Sequence, residues 1–430
     1  MSLGQTGGWD ASSQPSLPCG VRIAKRSPLP PPLLALKIAG TMKASAILAS
    51  AITGLATIAD SQAADLPKFR HVTIDTQVKI GYGTAIADMN GDKKPDIVLC
   101  DARNIAWYEN PSWKKHIIVE NLTQRDHVCI AVRDIDGDGK AEIAAGAQWN
   151  PGETSDAAKS GAVFYLIPPA DRTQKWTPVQ LEHEPTTHRM RWFKTPTGGH
   201  DLVVLPLHGR GNKGGKGDAV LTLAYHIPSD PKGNWSTTLL DGNMHMSHNF
   251  DVAEWDGDQA NEMLLSGLEG VFLLNPSKDS TWSRRQISNN PTGEVRQGAG
   301  AGGKNFVTAI EPMHGNQLSI YTPVKGAKLW NRNVIDDSLD QGHALATGDF
   351  MGSGSDQIVV GWRGTRRTGK VGVKFYYPTN EQRSEWKSML VDDNEMATED
   401  IRIADLNADG KIDIVAAGRA SHNLKIYFNK

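Results

Sequence analysis

The sequence predicts an all-β fold, a seven-bladed β-propeller whose last blade is closed by the N-terminal strand. The first observation is a tryptophan followed 12–14 residues later by a polar residue, a pattern that occurs six times. The pairs are Trp113/His127, Trp176/His188, Trp235/His248, Trp282/Arg296, Trp330/His343 and Trp386/Glu399. A weaker copy, Phe69/Tyr82, precedes them. The tryptophans are 47–63 residues apart, a spacing typical of one four-stranded blade per repeat.

The second observation is a strand pattern that is clearest in the second repeat. Residues 127–136, 141–149, 161–169 and 175–183 are alternating or continuous apolar runs, and residues 137–140 (GDGK) form a tight turn after the first run. Such runs, bounded by Gly, Asp and Pro, are typical of short β-strands. Each repeat therefore supplies four strands.

The third observation concerns how the ring closes. The last repeat, residues 399–430, ends after three strands, whereas residues 69–77 resemble a lone fourth strand. Pairing the two would complete the last blade and cover an open sheet edge. Six full repeats and this composite one predict seven blades in one domain, residues 65–430.

The residues before this domain carry a different signal. Residues 1–41 contain a proline run and no usable periodicity, so we interpret them as a non-native or disordered extension. Residues 42–64 combine a basic start, a short apolar stretch and small residues near Ala63 and Ala64, which is typical of a signal peptide. The stretch is too short and interrupted for a membrane span. We expect a secreted or periplasmic protein.

The composition indicates which classes of binding partner to expect. The formal net charge is -2 and 22% of residues are charged, which argues against nucleic acid as a partner. Two of the three cysteines, Cys100 and Cys129, lie in the predicted domain. They could form a bridge between blades or be two small buried side chains. The oligomeric state is left open.

Four loops place oxygen ligands at positions 1, 3, 5 and 9, the spacing with which a turn wraps a hard cation such as calcium. The sets are Asp88, Asn90, Asp92 and Asp96; Asp134, Asp136, Asp138 and Glu142; Glu254, Asp256, Asp258 and Glu262; and Asp405, Asn407, Asp409 and Asp413. The sixth repeat, at residues 349–356, has lost two ligands, so we expect no ion there. Ions in these loops would be structural, although polar turns without an ion are the alternative.

These loops and strands resemble FG-GAP, or VCBS-type, repeats, the units of the integrin-type seven-bladed propeller. The resemblance covers residues 69–430. It implies the propeller fold and says little about activity, since such repeats occur in adhesion proteins and in enzymes.

The register of the repeat predicts a ring of polar side chains around the axis, at the face away from the metal loops. Its members, one at the start of each first strand, are Tyr82, His127, His188, His248, Arg296, His343 and Glu399. Neutral imidazoles suit zinc or another divalent transition metal, and His and Glu can also transfer protons. The alternative is that these residues only fill the channel with hydrogen bonds. We treat the ring as the catalytic candidate and His127, His188, His248 and His343 as ligands of an active-site ion.

Loops between second and third strands should open on the same face and supply substrate-binding groups. The candidates are Trp149, Asn150, His208, Arg210, Trp362, Arg363 and Arg419. Trp149 and Trp362 could stack on sugar rings. The register places Glu311 and His314 nearer the opposite face, and their role is left open.

Several segments also resemble the propeller domain of the aldos-2-ulose dehydratase family. They are residues 136–152, 188–192, 206–212, 247–251, 310–316 and 357–363. This resemblance implies a metal at the propeller mouth and dehydration of keto-sugars. We therefore expect a secreted, metal-dependent carbohydrate lyase or dehydratase that acts by β-elimination on a saccharide. A non-catalytic propeller that binds carbohydrate or protein is the alternative.

Overall fold

The computed structural model describes residues 66–277, 281–380 and 382–430; the predicted extension (1–41) and signal peptide (42–64) lie outside these ranges. The regular secondary structure of the described chain is β-strand, apart from one short 3₁₀ turn at Ala301–Gly303. In chain order the strands are β1 (Phe69–Asp75), β2 (Gly83–Ala87), β3 (Asp96–Cys100), β4 (Asn104–Glu109), β5 (Lys114–Glu120), β6 (Cys129–Arg133), β7 (Glu142–Gly146), β8 (Val163–Ile167), β9 (Thr177–Leu181), β10 (Thr187–Lys194), β11 (His200–Pro206), β12 (Thr222–His226), β13 (Thr237–Asp241), β14 (Ser247–Ala253), β15 (Glu262–Gly267), β16 (Gly270–Pro276), β17 (Trp282–Ser288), β18 (Val295–Gly300), β19 (Lys304–Glu311), β20 (Gln317–Thr322), β21 (Asn331–Asp336), β22 (Gly342–Gly348), β23 (Gln357–Trp362), β24 (Gly372–Pro378), β25 (Trp386–Asp393), β26 (Thr398–Ala404), β27 (Asp413–Gly418) and β28 (Asn423–Asn429).

The strands form seven four-stranded antiparallel sheets, each a meander of consecutive strands except the last. Blades 1 to 6 begin with β2, β6, β10, β14, β18 and β22, and blade 7 begins with β26. The first strand of each blade contacts the first strand of the next, and β26 contacts β2, so the sheets close into a ring. The predicted seven-bladed propeller is confirmed.

Blade 7 is the composite blade that the sequence predicts. Its order is β1-β28-β27-β26, and Phe69 at the start of β1 lies opposite Asn429 near the end of β28. The ring of Phe69 packs against Phe350 and Phe375, with centroids 6.3 and 6.1 Å away. The two ends of the domain thus cover each other's open edge.

The repeated tryptophans belong to the cores between blades. Trp176, Trp235 and Trp330 each stand just before the fourth strand of their blade and are almost fully buried. Trp235 packs on Tyr165 of the preceding blade at 5.3 Å between centroids, and Trp330 packs on Trp255 at 5.4 Å. The sequence period therefore reports a packing requirement, since every blade must bury an aromatic ring against its neighbour.

Cys100 and Cys129 are both buried and both free, so the structure contains no bridge between them. Within the part of the chain that the structure describes, no helix has the length and apolar character of a membrane span.

Candidate functional site

Three imidazoles converge at the axial mouth of the propeller. His248 comes from the start of β14, His343 from the start of β22, and His314 from the turn between β19 and β20. Each offers a ring nitrogen, and these nitrogens all lie within 4.8 Å of one another. The Nε2 atoms of His248 and His314 are 3.0 Å apart. We call these three residues the histidine cluster.

The local backbone explains why two of these side chains reach the axis. The pairing of β14 with β15 skips His248, and the pairing of β22 with β23 skips His343, so each is the extra residue of a β-bulge. The same shift occurs at His188 in β10 and at Glu399 in β26. A bulge turns a side chain out of the regular pleat. Four of the seven residues of the predicted ring are presented in this way.

His314 reaches the cluster by a different route. It adopts a left-handed backbone conformation with φ of 52°, which is uncommon for a residue other than glycine. Its turn is anchored by the buried carboxylate of Glu311, which accepts hydrogen bonds from Arg332 Nε and Ser319 Oγ, each at 2.8 Å. Sequence register placed both residues nearer the opposite face. For His314 that placement is wrong, because the turn folds back toward the axis.

A buried carboxylate that the sequence reasoning missed lies behind His248. Glu294 Oε1 is 3.2 Å from His248 Nδ1, and its Oε2 accepts a hydrogen bond from Asn249 Nδ2 at 2.5 Å. Burial opposes ionisation of Glu294, but His248 and Arg296 outweigh this effect and hold its pKa below the usual range. Glu294 therefore places a negative charge beside the imidazole, as carboxylates do behind metal-binding histidines.

The electrostatics of the cluster favour neutral imidazoles. Burial lowers the pKa of His248, and burial together with the nearby Arg363 and His248 lowers the pKa of His314 and His343 strongly. His343 Nδ1 lies 2.6 Å from the carbonyl oxygen of Glu399, so Nδ1 carries the proton and Nε2 keeps its lone pair. Neutral nitrogens with free lone pairs are the form that binds zinc and similar ions. The three residues fit such an ion.

The other half of the mouth is an ion-pair network around Glu399. Its carboxylate accepts hydrogen bonds from Arg363, and from Arg419 through Nε at 2.9 Å and Nη2 at 3.1 Å. The guanidinium of Arg419 lies 5.4 Å from the ring of Tyr82, whose hydroxyl donates to Asp126 at 3.1 Å. Burial raises the pKa of Tyr82, so its hydroxyl remains protonated and can donate a proton.

His188 borders the cluster without joining it. Its ring lies 5.0 Å from that of His248 and stacks at 5.0 Å on Trp149. Its Nε2 atom is 2.9 Å from Arg189 Nη1, so its lone pair is already engaged. The proton then lies on Nδ1, which has no hydrogen-bond partner among the described residues. His188 is thus placed as a hydrogen-bond donor beside the site.

Two predicted ring members lie elsewhere. His127 is fully buried beside blade 1, where its Nε2 accepts the N–H of Leu122 at 3.2 Å. Arg296 lies within β18, two residues after Glu294 in the sequence. Its Nε atom is 3.9 Å from Asp251 Oδ1. Blade 5 has no bulge at this point, so the position nearest the histidines is Glu294 rather than Arg296.

Of the predicted substrate-binding groups too, some lie at the mouth and others do not. Arg363 and Arg419 are at the mouth, and Trp149 is next to His188. Trp362 is buried in the core between blades 5 and 6, where its Nε1 donates to the carbonyl oxygen of Lys370, so it cannot stack on a sugar.

Three further candidates belong to surface loops. Asn150 Nδ2 donates to the carbonyl oxygen of Lys159 at 3.1 Å. Arg210 is exposed and pairs with Glu184 at 2.7 Å. His208 is half-buried and its N–H donates to Thr186 Oγ1 at 3.0 Å. Within the described residues, none of the three forms a hydrogen bond or ion pair with the histidine cluster.

The acidic loops lie at the other end of the first strands. Two of them gather carboxylate oxygens within 4.8 Å of one another: Asp134, Asp136 and Glu142 in one, and Asp256, Asp258 and Glu262 in the other. Burial, followed by the charges of Asp256 and Asp258, raises the pKa of Glu262 to about 7. Crowded carboxylates of this kind fit a hard cation, which would relieve their repulsion.

The loops that begin at Asp88 and Asp405 fold in the same way around backbone N–H groups. Asp88 accepts from Gly91 N at 2.6 Å, and Asp405 accepts from Gly410 N at 2.8 Å. In the sixth blade Asp349 accepts from Gly354 N at 2.7 Å although that loop lacks the full ligand set. The turn geometry alone is therefore compatible with the polar-turn alternative.

The comparisons with known proteins agree with this architecture. Residues 88–145 match an FG-GAP-like repeat and residues 130–166 match an FG-GAP repeat. The chain carries FG-GAP repeats. These repeats include the first two acidic loops and the strands on either side of them.

One curated relative is informative. Aldos-2-ulose dehydratase of Phanerodontia chrysosporium is 24% identical over 357 residues, and the alignment covers 74% of this chain. The chain spans only 38% of the length of that relative. The relative is a carbohydrate dehydratase by its name, and it is a distant homologue of this chain.

Solved structures share the fold. Virginiamycin B lyase from Staphylococcus aureus has a TM-score of 0.51 at 12% identity and covers 84% of this chain and 99% of its own. A chain of the mitotic checkpoint complex has a TM-score of 0.51 at 13% identity and covers 90% of this chain and 99% of its own. At these identities the similarity shows the propeller and nothing about activity.

Proposed function

We propose that this chain is a metal-dependent carbohydrate lyase of the dehydratase type, which acts on a keto-sugar at the propeller mouth. The observation that carries the proposal is the histidine cluster, three neutral imidazoles with nitrogens within 4.8 Å on the axis. The name and 24% identity of the dehydratase relative support the substrate class. The acidic loops on the opposite face would hold structural calcium.

The reaction is the loss of water next to a carbonyl group. A C–H bond breaks at the carbon beside the carbonyl, a C–O bond breaks one carbon further on, and a C=C bond forms between the two carbons. His248, His314 and His343 would hold a divalent ion. When bound, this ion supplies Lewis-acid polarisation of the carbonyl oxygen.

The chain's own side chains would move the two protons. Glu399, which forms salt bridges with Arg363 and Arg419, would accept the proton from the carbon. Tyr82, whose hydroxyl stays protonated, would donate to the departing oxygen. His188, which stacks on Trp149 beside the cluster, would help to position the sugar ring.

We further propose that the protein is secreted or periplasmic, because residues 42–64 have the composition of a signal peptide. Amino-terminal sequencing of the mature protein tests this point. A start near Asp65 is expected, and a mature protein that retains residues 42–64 would contradict it.

Metal analysis and turnover together test the function. The purified protein should contain about one zinc, manganese or iron per chain besides calcium, and should convert an aldos-2-ulose such as D-arabino-hexos-2-ulose to an enone seen by ultraviolet absorption. H343Q should lose the metal and the activity. The control H226Q changes a half-exposed histidine on β12 and should keep both. Calcium alone together with saccharide binding and no turnover would instead indicate a binding module.

A further inference from the structure

A second cavity opens in the channel on the face of the acidic loops. Its volume is about 560 Å³, within the range of small-molecule sites. Three arginines from three blades line it: Arg191 of β10, Arg296 of β18 and Arg402 of β26. None of them is assigned to metal binding, proton transfer or substrate binding in the function proposed above.

The arginines are incompletely neutralised. Among the described residues no carboxylate lies within 4.0 Å of the Arg191 guanidinium, whose Nη1 donates to the carbonyl oxygen of Met190 at 2.7 Å. Arg296 has only long contacts, at 3.9 Å to Asp251 and 3.6 Å to Glu294. Arg191 therefore lies at the cavity without a carboxylate in salt-bridge contact, and only the more distant charge of Asp400 acts to stabilise its positive charge.

Arg402 is the best paired of the three, with Nη1 at 2.9 Å from Asp400 Oδ1. Burial, together with the charges of Arg402 and Arg296, lowers the pKa of Arg191 to about 9. Like charges gathered in a partly desolvated site repel one another, and an unpaired buried charge is costly. A bound anion would remove both costs.

Three acidic residues also line the cavity, and each is already engaged. Asp251 Oδ2 accepts the N–H of Gln297 at 3.1 Å. Asp356 Oδ2 accepts the N–H of Ala299 at 2.7 Å, and Glu254 Oε1 accepts a hydrogen bond from an asparagine side chain. These carboxylates are oriented toward neighbouring N–H donors, and none of the three forms a salt bridge with Arg191.

From this arrangement we propose that the loop-face end of the channel binds a phosphate or sulfate group carried by a small molecule. Guanidinium groups match the tetrahedral oxygens of such anions with paired N–H donors. The amide and hydroxyl side chains of Gln297, Asn305 and Thr347, which line the same cavity, are suited to the neutral part of the ligand.

This site is separate from the histidine cluster. Between them lies a void of about 10 Å³ lined by Arg189, Arg191, His343 and Glu399. A space of that size holds about one water molecule, so a ligand cannot pass through it. The proposal of an anion site can therefore be tested independently of the proposed lyase activity.

Binding of inorganic phosphate and of glucose 6-phosphate by the full-length protein tests the proposal. Titration calorimetry and thermal melting are run at constant ionic strength set with sodium chloride, because surface charges respond to salt. A Tm increase of about 3 °C or more over the chloride control is expected at saturating ligand. Tighter binding of glucose 6-phosphate would assign the anion to an organic ligand, and equal binding would assign it to the free ion.

Substitutions of the lining arginines test whether the anion binds in this cavity. R191Q and R402Q should each weaken binding at least about tenfold through loss of a charged hydrogen-bonding partner. The matched control R285Q changes an exposed arginine on β17 and should bind as the native protein does. If R191Q does not fold, R191K keeps the charge, removes the fork and should weaken binding at least about threefold. Absence of stabilisation beyond chloride, or equal affinities for R191Q and R285Q, would overturn the proposal.

Discussion

His248 Nδ1 and Glu294 Oε1 lie 3.2 Å apart between the first strands of blades 4 and 5, with side chains only 2% and 3% exposed. The contact joins a histidine of the cluster to an almost fully buried carboxylate. Since buried charges persist only where neighbours stabilise them, this pair is the most informative probe of what the cluster does.

Replacing Glu294 with Gln should lower metal affinity about 10- to 100-fold, the effect typical of a carboxylate behind a metal-binding histidine. Chelator competition measures the affinity. The matched control is E109Q, because Glu109 pairs with His116 at 3.0 Å far from the mouth. Equal metal affinities for E294Q and E109Q would show that Glu294 only packs.

Removing His314 should abolish metal binding although its sequence position gave no hint of the role. H314A removes one of the three ligand nitrogens. The metal content should therefore fall below about 0.1 ion per chain, and turnover should fall by more than about 100-fold. Elemental analysis and initial rates measure this. H422A, a substitution in another turn, should change neither. Full metal content in H314A would remove this residue from the site.

The stability of the metal-free protein should fall on acidification. His248, His314 and His343 have lowered pKa values in the folded state, so the unfolded chain takes up protons first as the pH drops below about 6.5. Their contribution is fully present above that pH and is lost toward the lower folded pKa values. Thermal melts from pH 8 to pH 5 should show the loss as a falling Tm. The dependence of Tm on pH should be shallower in H343Q than in the native protein. An unchanged slope in H343Q would contradict this assignment.

Calcium chelation should destabilise the propeller through the acidic loops. Chelation is expected to lower Tm in the native protein because bound ions stabilise only the folded state. D136A should reduce this calcium dependence, whereas D349A, in the sixth-blade loop, should lose only turn hydrogen bonds and keep the native dependence. A Tm that does not respond to calcium would favour polar turns without ions.

Closure of the propeller should depend on Phe69. F69A removes the ring that packs on Phe350 and Phe375, and should lower the free energy of unfolding by about 2–3 kcal/mol. Denaturant unfolding measures it. T73A, at an exposed position of the same strand, should cost less than about 0.5 kcal/mol. Similar losses for the two variants would argue against a specific closure contact.

The fold could be predicted from the sequence because its determinants are local and repeated. Blades bury an aromatic ring such as Trp235 against a neighbour, and most first strands end in a polar turn, so both features recur along the sequence at the length of one blade. The same register brought His188, His248, His343 and Glu399 to the mouth. It could not foresee that Glu399 is tied to Arg363 and Arg419 by salt bridges.

The sequence by itself determined seven blades, their closure by the first strand and a set of histidines facing one axis, because strand period and loop spacing are properties of neighbouring residues. Only the tertiary structure decided which histidines meet. A turn carries His314 back to the axis, and the missing bulge in blade 5 puts Glu294 at the mouth and Arg296 deeper in the channel. Bulges and turns shift a side chain by one or two positions, and whether they form depends on pairing between strands.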